Sequence, residues 1–351
     1  MLHKPRGAHI LLFGVILIIA SIASWQSIRA FLAERHFRDG YYLMQKRNSR
    51  FAIIELEKAV NYAKWEPHYR LFLGRAHEAY ANETKSVQQK IAIYKKIIPI
   101  YEKIIAQSTT NPWYKSRLAF IYAQLAYYVS TPQEKAFYKE KEGLYKKLAA
   151  KNDPENPIFQ IGYAQFLHQQ KQYTQAISYY KKVIEIDDRI LVAPFNLGDI
   201  YIKQQKYDAA IEIYQYTYEK NKAFKKDTKL GSPTEFNKTA IALIQLHLIQ
   251  KQPQKALSLT QDFLQQKPQL DFTSLQAIAY TYTRLQKHQD AINLYLMVKK
   301  DHPSFFPITL ELSKLYHAKG QKEKARRVLK TYIKNYPKNT KEAKKQLKKL
   351  Q

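Results

Sequence analysis

A small residue returns at nearly constant spacing through the second half of the chain. In all but one copy an aromatic or aliphatic residue follows four later, and in most copies an apolar one three beyond that. The copies are Ala176/Tyr180/Val183, Ala210/Tyr214/Thr217, Ala256/Thr260/Phe263, Ala291/Tyr295/Val298 and Ala325/Leu329/Tyr332. Their alanines lie 34, 46, 35 and 34 residues apart. Tyr173 returns as Tyr207 and Ile177 as Ile211, while Pro268, Pro303 and Pro337 close successive copies. An apolar–small pair with a third residue precedes four of the five motifs: Tyr163-Ala164…Leu167, Leu197-Gly198…Tyr201, Ile278-Ala279…Tyr282 and Leu312-Ser313…Tyr316. Residues three and four apart share one helical face, so each copy predicts two apolar-striped helices. The small residue lets the second helix approach the first, and the aromatic fills the space beside it. A single helix pair cannot bury its stripe alone, so copies must stack. The pattern therefore confines the chain to an all-α repeat fold.

These residues resemble the tetratricopeptide repeat (TPR) family, a thirty-four-residue helix–turn–helix with a W…LG…Y…A…F…P pattern. The Ala, aromatic and Pro slots are kept. The first slot, normally Trp, holds Gln160, Pro194, Ala240, Leu275 and Thr309. The resemblance implies a helical-hairpin solenoid of about eight units: 33–66, 67–111, 112–156, 157–190, 191–224, 237–270, 272–305 and 306–339. Units two and three are 45 residues long, eleven above the family length. Eleven residues make about three helical turns, so lengthened helices would keep the same face inward. Segment 225–236, with Gly231, Ser232 and Pro233, is expected as a loop or hinge between a 33–224 block and a 237–339 block. Residues 340–351, TKEAKKQLKKLQ, are expected as a basic capping helix.

Ahead of the repeats, residues 1–9 form a short basic tail and 10–28 an apolar segment without formal charge. Nineteen such residues are about enough to cross the hydrocarbon, and Trp25 sits where an interfacial indole belongs. A cleaved export signal with Ser21 and Ala23 at its processing site competes with this reading. No helix breaker precedes that site and apolar character continues to Ile28, which favours a retained transmembrane anchor. Lys4 and Arg6 place the amino terminus in the cytoplasm. Arg29, Arg35, Arg38, Lys46 and Arg47 argue the reverse. Long domains translocate largely regardless of charge, so the repeats are expected on the extracytoplasmic side of a cytoplasmic membrane.

The 351 residues contain no cysteine, which excludes disulfides, thiolate metal sites and a cysteine nucleophile. No HExxH, GxGxxG, GxSxG or P-loop pattern occurs among the residues, and ten scattered histidines read as packing or solvent-facing groups. Neither catalysis, nor a metal, nor any cofactor is expected. The formal charge is +29, with 14 basic against 4 acidic residues in 301–351 but 5 against 6 in 151–200. Lys341, Lys344, Lys345, Lys348 and Lys349 therefore form a candidate anion-contacting end. Binding to nucleic acid or to anionic lipid has only charge in its favour, and no RNA-module motif accompanies it.

In the family, the inner surface is lined by the first helix of each unit, here called helix A. That correspondence gives a candidate partner-binding groove of Arg117, Phe120 and Gln124; Gln165, His168 and Gln169; Asn196, Asp199 and Lys203; Gln276, Tyr280 and Arg284; and Lys314. Asn196 matches the asparagine that many repeats use to hold a peptide backbone, but equivalent positions carry Gly162, Ala242, Ala277 and Glu311. The resemblance thus implies other proteins as partners, met as peptide segments, acidic ones included. Two functions are compatible with it. One is a membrane-tethered scaffold or adaptor for bacterial cell-envelope proteins; the other is an accessory subunit of a surface-polysaccharide assembly or O-antigen-type ligation system.

Overall fold

The structure is a computed structural model that describes residues 6–224, 233–268 and 270–350. Seventeen α-helices and one short 3-10 helix account for most of these residues, with no strand among them. The chain divides into two compact units, Met1–Gln172 and Tyr173–Gln351.

The first unit opens with α1 (Arg6–Gln45), a helix of 40 residues. At 1.5 Å per residue it runs about 60 Å. The apolar segment and helix A of the first repeat are therefore one uninterrupted helix. Helices α2 (Ser49–Tyr62), α3 (Pro67–Glu83), α4 (Val87–Gln107), α5 (Pro112–Tyr128), α6 (Pro132–Asn152) and α7 (Pro157–Gln169) follow, each packing on the next. The extra length of repeats two and three can be located. Helix A has 17 residues in α3 and α5, against 13 in α7. Helix B, the second helix of each repeat, has 21 residues in α4 and α6, against 14 in α8 (Tyr173–Ile186) of the second unit. The increments are four and seven, one turn and two, and each returns the buried stripe to the same side.

Turns from helix B to the next helix A are built alike. Glu66, Asn111 and Asn156 accept from the backbone N–H two residues on, and Pro67, Pro112 and Pro157 take the first helical position. A proline there forfeits no intrahelical bond and has its φ already set.

The second unit continues from α8 with α9 (Val192–Lys203), α10 (Tyr207–Phe224), α11 (Pro233–Ile249), α12 (Pro253–Gln265), α13 (Phe272–Arg284), α14 (His288–Asp301), α15 (Phe306–Ala318), α16 (Lys322–Asn335) and α17 (Lys341–Lys349). Of the expected loop 225–236, residues 225–232 lie outside the described residues, and Pro233 to Phe236 already belong to α11. The motif residues are buried as their spacing requires: Ala176, Ala210, Ala256, Ala291 and Ala325 are fully enclosed, as are Tyr180, Thr260 and Leu329. At Gly198 the fit is tight, since a Cβ there would stand 2.6 Å from Tyr214 Cε1. Ser313 fills the same slot in α15 and donates its hydroxyl to the Ala325 carbonyl at 3.2 Å.

Six of the eight turns from helix A to helix B close on a left-handed residue, at Arg47, Lys171, Gln205, Lys251, Gln286 and Gly320, while those after α3 and α5 leave the helix through extended Thr84 and Val129. At Lys171 the turn carries the paired bonds of a Schellman cap, Gln172 N–H to the Leu167 carbonyl at 2.9 Å and Lys171 N–H to His168 at 3.0 Å.

Candidate binding surfaces

On helix A faces of the first unit, aromatic rings and arginines lie side by side. Phe37 of α1 meets Tyr69 and Phe72 of α3 at 5.1 and 5.2 Å, and Tyr41 meets Phe72 at 5.6 Å. Arg75 lies over Phe72, and Arg117 of α5 lies over Phe120 at 5.0 Å. Tyr41 and Phe120 remain 43% and 40% exposed, so this cluster is only partly closed. Of the sequence-derived groove residues, Arg117 and Phe120 form a cation–ring pair of their own on α5, with Gln124 half-buried further along it. Phe37, Tyr41, Phe72 and Arg75 were missed. Their i, i+4 and i, i+3 spacings on successive A helices were the available signal, in units whose repeat motif is weak.

Arg117 is not a free cation. Its guanidinium binds Glu78, a side chain only 3% exposed, which also accepts the Tyr101 hydroxyl at 2.9 Å. Two A helices are thereby clasped together. Gln165 and His168 are half-buried on α7 and Gln169 is exposed.

In the second unit, Asn196 hydrogen-bonds the buried hydroxyl of Tyr180. Its amide is thus already engaged in joining α9 to α8. Lys203 pairs with Asp199 one turn back, at 2.7 Å. Gln276, Tyr280 and Lys314 are brought together around one groove of about 370 Å³ between α13 and α15, with Tyr295 of α14 and Glu311 also lining it. Tyr280 is 56% exposed, and Lys314 pairs with Glu311 at 2.8 Å. Arg284 does not line this groove; it sits exposed in the last turn of α13.

At the C-terminal end, Lys341, Lys344, Lys345, Lys348 and Lys349 are all exposed on α17. The opposite face of that helix packs Ala343, Leu347 and neighbouring Leu350 against Leu329 and Tyr332. Arg326 holds it further by donating to the Leu350 carbonyl at 2.6 and 3.0 Å.

Histidines divide by burial. His77 is enclosed, and burial, helped by the nearby Lys96 charge, pulls its imidazole down to about 4. Burial also lowers His247, against the Gln252 hydrogen bond that supports its charged form. His36, Asp39 and Glu55 each present one ligand atom within 4.8 Å of the others. His36 Nδ1 already pairs with Glu55 Oε2 at 2.6 Å and Lys58 holds the other Glu55 oxygen at 2.7 Å, an ion-pair network in its own right.

Consecutive antiparallel helices, buried small-to-aromatic contacts and polar or aromatic residues on the A helices define an interaction scaffold of helical repeats. Residues 310–339 match the family profile described as tetratricopeptide repeat, and residues 134–217 match that described as anaphase-promoting complex, cyclosome, subunit 3. The chain thus carries tetratricopeptide-type helical repeats, matched directly at residues 310–339. No curated protein sequence matches it significantly. Similar solved structures include YrrB, described as a TPR protein with an unusual peptide-binding site. It is 19% identical, over 57% of this chain and 97% of that one, with a TM-score of 0.39. PilF of Pseudomonas aeruginosa is 14% identical, over 74% and 98%, with a TM-score of 0.44. MamA of Desulfovibrio magneticus RS-1 is 10% identical, over 54% and 96%, with a TM-score of 0.43.

Proposed function

We propose that this protein is a membrane-tethered scaffold that holds peptide segments of other proteins, acidic ones favoured, against its helix A faces. The groove at Gln276, Tyr280 and Lys314 carries this reading. It offers an exposed phenol ring for packing, an amide for backbone contact and the Lys314 ammonium, which an acidic side chain would share with Glu311 at 2.8 Å, in a chain of formal charge +29. An amide both donates and accepts, so it suits an extended backbone of any sequence. The tether is α1, whose stretch from Leu12 is long and apolar enough to cross a bilayer and has none of its apolar window buried in the protein. The repeats lie on the extracytoplasmic side, among envelope proteins.

The test uses full-length protein in detergent or vesicles and a panel of acidic and neutral peptides. Tyr280→Ala with Lys314→Ala removes the ring and the charge without touching a buried residue. Capture of acidic peptides should fall about ten-fold, equivalent to 1.4 kcal/mol, and the wild-type preference for acidic peptides should fade as salt rises. Undiminished capture with intact helicity rejects the groove. Release of the protein by carbonate washing, or a mature N-terminus at Ser24, rejects the tether.

A further inference from the structure

The first unit carries a row of large apolar side chains on one edge that its own core covers only in part, Trp113 meeting the buried Phe159 ring edge-on at 4.7 Å. Trp65 is 49% exposed, Trp113 is 53% exposed and Ile158 is 54% exposed. All three stand at helix B to helix A turns: Trp65 just before Pro67, Trp113 just after Pro112, Ile158 just after Pro157. The turns are chained by hydrogen bonds. Gln107 Nε2 donates to the Lys64 carbonyl at 3.2 Å, and Asn152 Nδ2 donates to the Thr109 and Thr110 carbonyls at 3.1 and 2.8 Å. Neighbouring turns therefore lie side by side as one edge.

The level of this edge along α1 is fixed by Arg29. Its Nε donates to the Tyr62 carbonyl at 3.0 Å, and its guanidinium lies 5.2 Å from the Trp65 ring centroid. Arg29 is the residue that ends the uncharged run, directly after Ile28. If that run fills the hydrocarbon, one further residue advances only about 1.5 Å. The headgroup layer is roughly 5–7 Å deep on each side. The turn holding Trp65 then starts inside that layer, where an indole ring finds apolar chains on one side and polar groups on the other.

We infer that the turn edge at Trp65 and Trp113 rests on the bilayer, with both indoles in the interface, so that the anchor and the first repeats form one membrane-seated body. This rests on the reading of α1 as a membrane span. The edge is of mixed charge, with Arg29, Lys64, Arg70, Lys115 and Lys151 beside Glu66, Asp153 and Glu155, so its distinguishing feature is the exposed rings. The occupant is the lipid interface, met through aromatic rings.

The test takes full-length protein reconstituted in phosphatidylcholine vesicles, as three variants that each retain one tryptophan, the other two being changed to phenylalanine. Circular dichroism checks that helicity is kept. Emission from Trp65 and from Trp113 should be lost to lipids brominated near the headgroup and kept with lipids brominated near the chain ends. That pattern should not change when salt is raised. Quenching of Trp25 without quenching of Trp65 and Trp113 leaves the anchor standing and overturns the seated edge. Failure of the protein to float with the vesicles, or an unquenched Trp25, overturns the anchor and the inference with it.

Discussion

Arg117 Nε donates to Glu78 Oε1 at 2.9 Å across 39 positions of sequence, tying helix A of the third repeat to helix A of the second. Glu78 is almost completely enclosed, whereas the Arg117 side chain is 44% exposed. The two partners therefore differ in what their loss costs. Arg117→Ala leaves a carboxylate buried with the Tyr101 hydroxyl as its remaining partner. Isolated buried charges of that kind cost about 3–5 kcal/mol, a figure to be reduced here because Arg117 is half in solvent. We expect about 2 kcal/mol from Arg117→Ala and much less from Glu78→Leu with Arg117→Leu together. Urea midpoints of Glu78→Leu, Arg117→Leu and the variant with both changes measure the coupling; additive losses would show that the pair is idle.

Glycines 162 and 198 should respond oppositely to alanine. At Gly198 the new methyl meets the Tyr214 ring at 2.6 Å, while at Gly162 nothing lies within 4 Å. Overpacking of this kind costs about 1–3 kcal/mol. Replacing an unhindered helical glycine gains up to about 1 kcal/mol. Thermal unfolding of the two variants should move in opposite directions.

His77 makes stability depend on pH. Folding holds its imidazole at about 4, below the ordinary 6.5. The unfolded chain therefore binds a proton first as pH falls. This group costs nothing above about pH 6.5, and stability is lost progressively from there down to about 4. The total is on the order of 3 kcal/mol. His77→Phe should flatten the part of the urea-midpoint profile between pH 7 and 5 that His77 causes, leaving the His247 share. An unchanged slope would assign the dependence elsewhere.

The terminal helix should prove a cap first. Removing 340–351 uncovers Leu329 and Tyr332, which Ala343 and Leu347 now cover. Lower melting temperature and aggregation are expected from that deletion. Changing Lys341, Lys344, Lys345, Lys348 and Lys349 to glutamine should leave melting nearly unchanged and weaken retention on a polyanion column. Equal melting losses in both variants would mean that the lysines themselves hold the helix.

What the sequence determined by itself is the repeat. Ala176, Ala210, Ala256, Ala291 and Ala325 could be read as contact points because a small residue at helical spacing has one main use in a striped hairpin. The extra eleven residues in repeats two and three were equally legible, since only whole turns preserve a buried face. Their division into four and seven was not. Nor were the left-handed turns at Lys171 and Gln205. With glycine absent there, no local signal marks the turn, and the packed helices on either side impose the conformation. The candidate groove split in the same way. Family positions named Tyr280 and Lys314, and the structure brings them to one groove. Only tertiary contacts show that Asn196 is bonded to Tyr180, Lys203 to Asp199 and Arg117 to Glu78. Exposure and partnership depend on which helix lies across a side chain, and residue spacing along one helix does not contain that information. The continuity of α1 was hidden for a related reason. A change from apolar to charged residues at Arg29 looks like a boundary in composition, but the backbone hydrogen bonds that carry a helix across it are indifferent to side-chain polarity.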